Sequence, residues 1–157
     1  GYGGGLSSNT RGIMGGGSRG SGEINDIVYI TIASTGNATD FGDLTVARGR
    51  HASVCSSTRG VFAGGDPGVN VIDYMTIAST GNATDFGDTI TTVANSSGGA
   101  SNKTRGVFLV ALISPSSTNA MQFVTIATTG NSVDFGDKTA QAYTRVQGFS
   151  DSHGGIS

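Results

Sequence analysis

Six aspartates fall in pairs, Asp40 with Asp43, Asp85 with Asp88 and Asp134 with Asp137, each pair enclosing Phe-Gly. Asp-Phe-Gly is the spelling of a kinase-type metal-holding motif, and clustered carboxylates are how oxygen-rich Ca²⁺ sites are built. The surroundings support neither chemistry. No lysine-bearing strand, Gly-rich phosphate loop or catalytic loop accompanies the triplets, and two aspartates per segment lack the dense ligand spacing of a calcium loop. Phe41, Phe86 and Phe135 are expected to pack between repeated units, with Gly-Asp forming the turn that follows.

Other chemical spellings are equally weak. Gly15-Gly16-Gly17-Ser18-Arg19-Gly20 satisfies G-x-G-x-x-G by letter, yet a dinucleotide site needs it between a strand and a helix. In a chain with 27 glycines the match carries almost no information. His51 and His153 are the two histidines and hold non-equivalent places, so no recurring Ser-His-Asp set is indicated. Asn37-Ala38-Thr39, Asn82-Ala83-Thr84, Asn95-Ser96-Ser97 and Asn102-Lys103-Thr104 spell glycosylation sequons, which a Ser/Thr/Asn-rich composition generates by itself. No catalytic residue, metal ligand or cofactor is assigned.

What dominates is repetition, and a repeat has to be found before any other feature is interpreted. Tyr29 to Asp43 returns almost letter for letter at Tyr74 to Asp88 and again, more divergent, at Phe123 to Asp137. Upstream of each copy stands Thr-Arg-Gly, with Arg11, Arg59 and Arg105 at one repeated position. These arginines are expected to pair with the recurring aspartates of a neighbouring unit. The anchors of the repeat are thus Arg11, Arg59 and Arg105; the aromatics Tyr29, Tyr74 and Phe123; the phenylalanines Phe41, Phe86 and Phe135; and Asp40, Asp85 and Asp134.

Each unit contains four short strand candidates. In the middle copy these are His51–Cys55, a second apolar run at Gly60–Gly65, a long alternating strand at Val69–Ala78, and Thr84–Ile90. Asp66-Pro67-Gly68 and Ser79-Thr80-Gly81-Asn82 are the turns between them, because Gly and Asn tolerate positive φ. No stretch has sustained helical periodicity. The fold class is therefore all-β: blade-like units of four antiparallel strands, at about 2–43, 47–89 and 92–137, within one repeat domain spanning 1–157. A lone strand opening a further unit is expected at about 143–157.

Composition narrows the function classes. A net charge of −2 leaves no basic surface for nucleic acid. No apolar run approaches the ~20 residues that cross a bilayer as a helix, so membrane insertion is not expected. Cys55 is the lone cysteine, which excludes an intrachain disulfide and suits a small buried filler in a strand.

Four strands in about 45 residues is the size of a β-propeller blade. The order of anchors resembles the kelch repeat: Gly64-Gly65, then Tyr74, then Phe86, with Phe41-Gly42-Asp43-Leu44-Thr45-Val46-Ala47-Arg48 holding the corresponding places in the first copy. Phe stands where kelch usually has Trp, and Leu109-Val110-Ala111 replaces Gly-Gly in the third copy, whose strand is expected to have drifted or to bend less. The wording of the repeat, with Gly148-Phe149-Ser150-Asp151-Ser152-His153-Gly154-Gly155-Ile156 near the end, is similar to kelch-like repeat proteins of marine bacteriophages. That resemblance implies a virion or extracellular location and a tail-fibre or receptor-binding appendage without enzymatic activity. A purely architectural filament or oligomer subunit is the alternative, and a glycan-active propeller enzyme a third.

A propeller needs at least four blades to close. Three blades and a strand leave faces and edges to be covered, either by further blades of a longer chain or by other copies of this one. The strand boundaries favour assembly with other chains; two copies would give six blades, and a non-closing contact a filament. Contact with a host-surface glycan or protein is expected in the segments that differ most between copies: Gly16–Glu23, Asn95–Lys103 and Ile113–Asn119, with Ser18, Arg19, Ser96, Asn102, Ser116 and Asn119 as the residues to test.

Overall fold

The structure is a computed structural model that describes residues 3–113 and 116–139. The expected strand over 143–157, together with His153, lies outside the described residues, as does part of the Ile113–Asn119 segment.

Every described element is a strand, and they form three antiparallel sheets, two of four strands and one of five. The first sheet is the meander β1 (Gly4–Ser7), β2 (Arg11–Arg19), β3 (Gly22–Thr31) and β4 (Thr39–Asp43). The second runs β5 (Ala52–Cys55), β6 (Arg59–Ala63), β7 (Val69–Thr76) and β8 (Thr84–Val93). In the third, β9 (Asn95–Ser101) pairs one edge of β10 (Arg105–Ile113). The other edge of β10 takes β11 (Ser116–Ser117) and then β12 (Ala120–Thr125), and β13 (Val133–Asp137) closes the order.

Period-two alternation distributes each sheet's side chains between two neighbours. On β6, Phe62 enters a core shared with the first sheet, where it meets Ile13, Ile27 and Phe41. Val61 and Ala63, one residue either side, enter a second core with Phe108, Val124 and Ile126 of the third sheet. The middle sheet is therefore apolar on both faces, and β6 is buried from Gly60 through Ala63. Cys55 lies in the first of these cores, as a buried strand filler with its thiol 3.4 Å from the Ser7 carbonyl.

Three expectations change. Asn95–Ser101 is the strand β9 rather than an inserted loop, and most of Gly16–Glu23 belongs to the β2–β3 hairpin, whose ladder continues to Arg19 opposite Gly22. Sequence comparison flagged both as variable because glycine and serine there obscure strand patterning. Gly-Asp does not form a turn after each phenylalanine: Gly42-Asp43, Gly87-Asp88 and Gly136-Asp137 lie inside β4, β8 and β13, beside a register shift in each ladder. The Gly-rich run at 15–20 opens no helix, which removes the structural context a dinucleotide site requires.

Candidate functional site

The repeated residues converge on the joints between sheets, and the two joints share one outer frame. Starting at the inner strands, Ser53 Oγ donates to the Gly5 carbonyl at 2.7 Å, and Ser101 Oγ donates to the Cys55 carbonyl at 2.9 Å. Backbones approach closely here: a Cβ on Gly106 would stand 2.5 Å from a Val54 methyl.

At the other end of the strands, Arg11 lies 4.5 Å over the Tyr29 ring of its own sheet and donates 2.9 Å to the Ile77 carbonyl of the next. Arg59 repeats this on Tyr74 at 4.3 Å, donating 3.0 Å to Ile126. The expected pairing of these arginines with the recurring aspartates is not what the structure shows. A guanidinium stacked on an aromatic face keeps its N–H edge free for a carbonyl, so it bridges sheets without a carboxylate. Arg105 sits 4.6 Å over Phe123 in the same way, and among the described residues no carbonyl of a further sheet answers it.

The outer edge is joined by the Thr-Gly-Asn turns. The Gly81 amide donates 2.7 Å to the Phe41 carbonyl, and Asn82 Oδ1 accepts the Asp43 amide at 3.1 Å. One sheet later, Gly130 donates 2.8 Å to Phe86, and Asn131 Oδ1 accepts from Asp88 at 3.0 Å. This turn docks directly on a glycine. Gly42 and Gly87 have φ of 142° and 144°, and a Cβ there would stand 2.4 Å from the Gly81 oxygen or 2.6 Å from Gly130. Phe41 and Phe86 are edge-on to Tyr29 and Tyr74 at 5.9 Å and fill the joint beneath.

Asp40, Asp85 and Asp134 hold nothing in these joints. Their side chains stand exposed on edge strands, and no group of three metal-ligating side chains occurs among the described residues. Charge on an edge strand opposes pairing with another edge, which is a physical role for a recurring aspartate.

A position not singled out by sequence reasoning carries a further link. The residue before the repeat aromatic is Asp73 in the second sheet and Gln122 in the third. Asp73 Oδ2 accepts the Thr45 amide of the first sheet at 3.2 Å, and Gln122 Oε1 accepts the Ile90 amide of the second at 3.0 Å. Asp73 is completely buried and ion-paired with Arg48, equally buried, at 3.0 Å. Burial pulls the Arg48 pKa down while Asp73 pulls it up. His51 is buried beside them, edge-on to Phe62 at 5.0 Å. Its Nε2 is 3.0 Å from the Gly15 carbonyl and 3.3 Å from the Gly4 amide; a neutral ring cannot serve both, and the shorter contact puts the proton on Nε2. Burial first, and the Arg48 charge second, hold the His51 pKa down to about 4. It is a neutral packing group.

The proposed contact residues fare differently from one another. Asn102 caps the β9–β10 turn, its Oδ1 accepting the Thr104 and Arg105 amides at 2.9 and 2.8 Å, as Ser8 and Ser56 do in the other sheets. Asn119 is tied to Lys138 by backbone and side chain. Ser96 and Ser116 lie in β9 and β11, and Ser18 in the β2–β3 ladder. Arg19, exposed at that hairpin's tip, is paired with Asp26 at 2.9 Å.

Sequence and fold together define a class, an all-β repeat protein of three antiparallel sheets, two of four strands and one of five. No family model and no curated protein matches the chain.

Proposed function

We propose that the chain is a non-enzymatic structural and adhesive module of a phage virion, a tail fibre or receptor-binding appendage, in which the three sheets serve as kelch-like blades of a β-propeller. The observation that carries this reading is that the repeated polar and aromatic residues are engaged between sheets. Arg11, Arg59, Asn82 and Asn131 each bond to the backbone of an adjoining sheet, and the buried charge pair, Arg48 with Asp73, lies where no substrate reaches it. A rigid frame of this kind displays loops, and loops carry recognition. The hairpin tip around Arg19 and the connection at 113–119 are the places for contact with a host-surface glycan or protein. Other copies, or further blades of a longer chain, complete the ring.

The test is binding of the purified protein to a glycan array and to host-surface preparations. Binding that is lost on Arg19→Ala, at the tip where Gly20-Ser21 make the two-residue turn, supports the adhesive role. Absence of binding to every surface leaves the architectural reading, which the open faces at the two ends of the stack favour.

A further inference from the structure

The two outermost faces of the stack are halves of the joint already seen twice inside it. On the middle sheet, the face toward the first sheet presents Phe62, Met75 and Ile77; on the third sheet the equivalent residues are Phe108, Val124 and Ile126. All six are at most 3% exposed. Their counterparts on the first sheet are Met14, Ile30 and Ile32, which are 46%, 39% and 53% exposed. At the opposite end Phe135 is 45% exposed, whereas its equivalents Phe41 and Phe86 are 2% exposed. A Cβ on Gly136 would meet no described atom, while the same atom on Gly42 or Gly87 would strike the docked turn.

We propose that this chain associates head to tail with a second copy of itself, the first sheet of one docking on the third sheet of the other to make a third joint like the two internal ones. The proposal rests on reading the repeat as a scaffold. Its occupant is identified by continuity with the internal interfaces, since each open group finds its partner at the other end of the chain. Arg105 meets the Ile32 carbonyl as Arg11 meets Ile77, Asn37 accepts the Asp137 amide as Asn82 accepts Asp43, and Phe135 is covered as Phe41 is. The contact is heterologous, so it closes into a ring or runs on as a filament according to its angle. One element is missing. Val28 stands where Asp73 and Gln122 accept an amide from the preceding sheet, so the third joint lacks that link and is weaker than the internal two.

The experiment is sedimentation of the full chain and paired variants over a concentration series to ~100 µM, a range that captures associations of micromolar strength. Wild type should rise above 15.7 kDa with concentration. Ile32→Arg, which puts a charge on the head face, and Gly136→Val, which puts a Cβ under the incoming turn, should each remain monomeric. Mixed one to one, they retain one intact head and one intact tail, and should give a two-chain complex and nothing larger. If Gly136→Val fails to fold by circular dichroism, Phe135→Lys takes its place. Val28→Gln should tighten wild-type association about fivefold by restoring the missing hydrogen bond.

A wild type that stays monomeric overturns the proposal, whether the tail face is covered from within the chain or by an unrelated protein. So does a mixture that forms no complex, or an Ile32→Arg protein that associates like wild type. Glycan and host-surface binding is measured on the Ile32→Arg monomer as well. Binding retained without association counts against the joint alone, and association without binding counts against the adhesive reading alone.

Discussion

The joint between the first and second sheets and the joint between the second and third share one outer frame and differ in one inner device. Both use a stacked arginine on a carbonyl, a Gly-Asn turn on a phenylalanine strand, and a buried phenylalanine. Where the first joint accepts the Thr45 amide with a buried carboxylate, the second accepts the Ile90 amide with the neutral Gln122, itself bonded to Ser132 Oγ at 2.7 Å. A carboxylate sealed from water needs a cation, and the first joint supplies Arg48 from the connection leading into β5. The geometric need is a single amide acceptor. Charge is one solution among two, and it brings a desolvation cost that the amide avoids. Arg48 bears that cost visibly, since its Nε and Nη1 are buried without hydrogen-bond partners among the described residues.

The largest effect should come from breaking the charged device. Arg48→Met leaves Asp73 buried and unpaired and should lower stability by about 3–5 kcal/mol in urea unfolding. Arg48→Met combined with Asp73→Asn imitates the Gln122 solution and should come back to within about 1 kcal/mol of wild type, because a neutral amide oxygen still accepts from Thr45. A double variant as unstable as the single one would show that the charge itself holds the joint. The next effect compares a filled joint with an open one. Phe86→Ala should cost about 3–4 kcal/mol, and Phe135→Ala, on a 45% exposed ring edge-on to Phe123 at 6.0 Å, about 1 kcal/mol under dilute conditions.

The outer frame was legible in the sequence because it repeats. Comparing copies located Arg11, Tyr29 and Phe41 as scaffold, together with Asp40, which holds nothing in the joint, and period-two patterning with Gly-Asn turns located the strands they sit on. The inner device was not legible, for a physical reason. Asp73, Gln122 and Val28 occupy one position with three chemistries, so copy comparison sees only variation there. Arg48 and His51 lie in a connection without a counterpart, and nothing in their types says that they are buried. The arginines were found but given the wrong partner, since a sequence shows opposite charges more readily than it shows a backbone carbonyl. Asn95–Ser101 failed for a third reason. An inner strand pressed against its neighbours is built from Gly and Ser, whose local preference is for turns.

His51 gives the first joint a pH dependence that the second lacks. Its pKa is about 4 in the folded protein against an ordinary 6.5, so between those values the unfolded chain binds the extra proton. Stability then rises with pH across that window: the contribution is fully present above about 6.5 and is lost as pH falls toward 4. Lowering the pH from 7 to 5 should cost about 2 kcal/mol through this residue. Carboxylates titrate nearby, so the measurement is the difference between wild type and His51→Gln. That difference should shrink steadily from pH 7 to pH 5, whereas a difference that stays constant would place His51 in contact with water.

The smallest effect separates the turn from the joint. Asn82 and Asn131 each accept one backbone amide of the preceding sheet in a contact that water reaches. Asn82→Ala and Asn131→Ala should therefore each cost only about 0.5–1 kcal/mol, the low end for a hydrogen bond, because solvent takes over the freed amide. Asn37 has the same Gly-Asn turn around it and no preceding sheet among the described residues. If the asparagine acts across the joint, Asn37→Ala should leave dilute, monomeric protein unchanged within error. If it acts by shaping its own turn, where Gly and Asn chemistry is a sufficient local reason for its presence, all three variants should lose the same amount. Equal losses would move this residue from the joint to the hairpin, and the Gly81 and Gly130 amide bonds to the Phe41 and Phe86 carbonyls would then be the whole of the outer link.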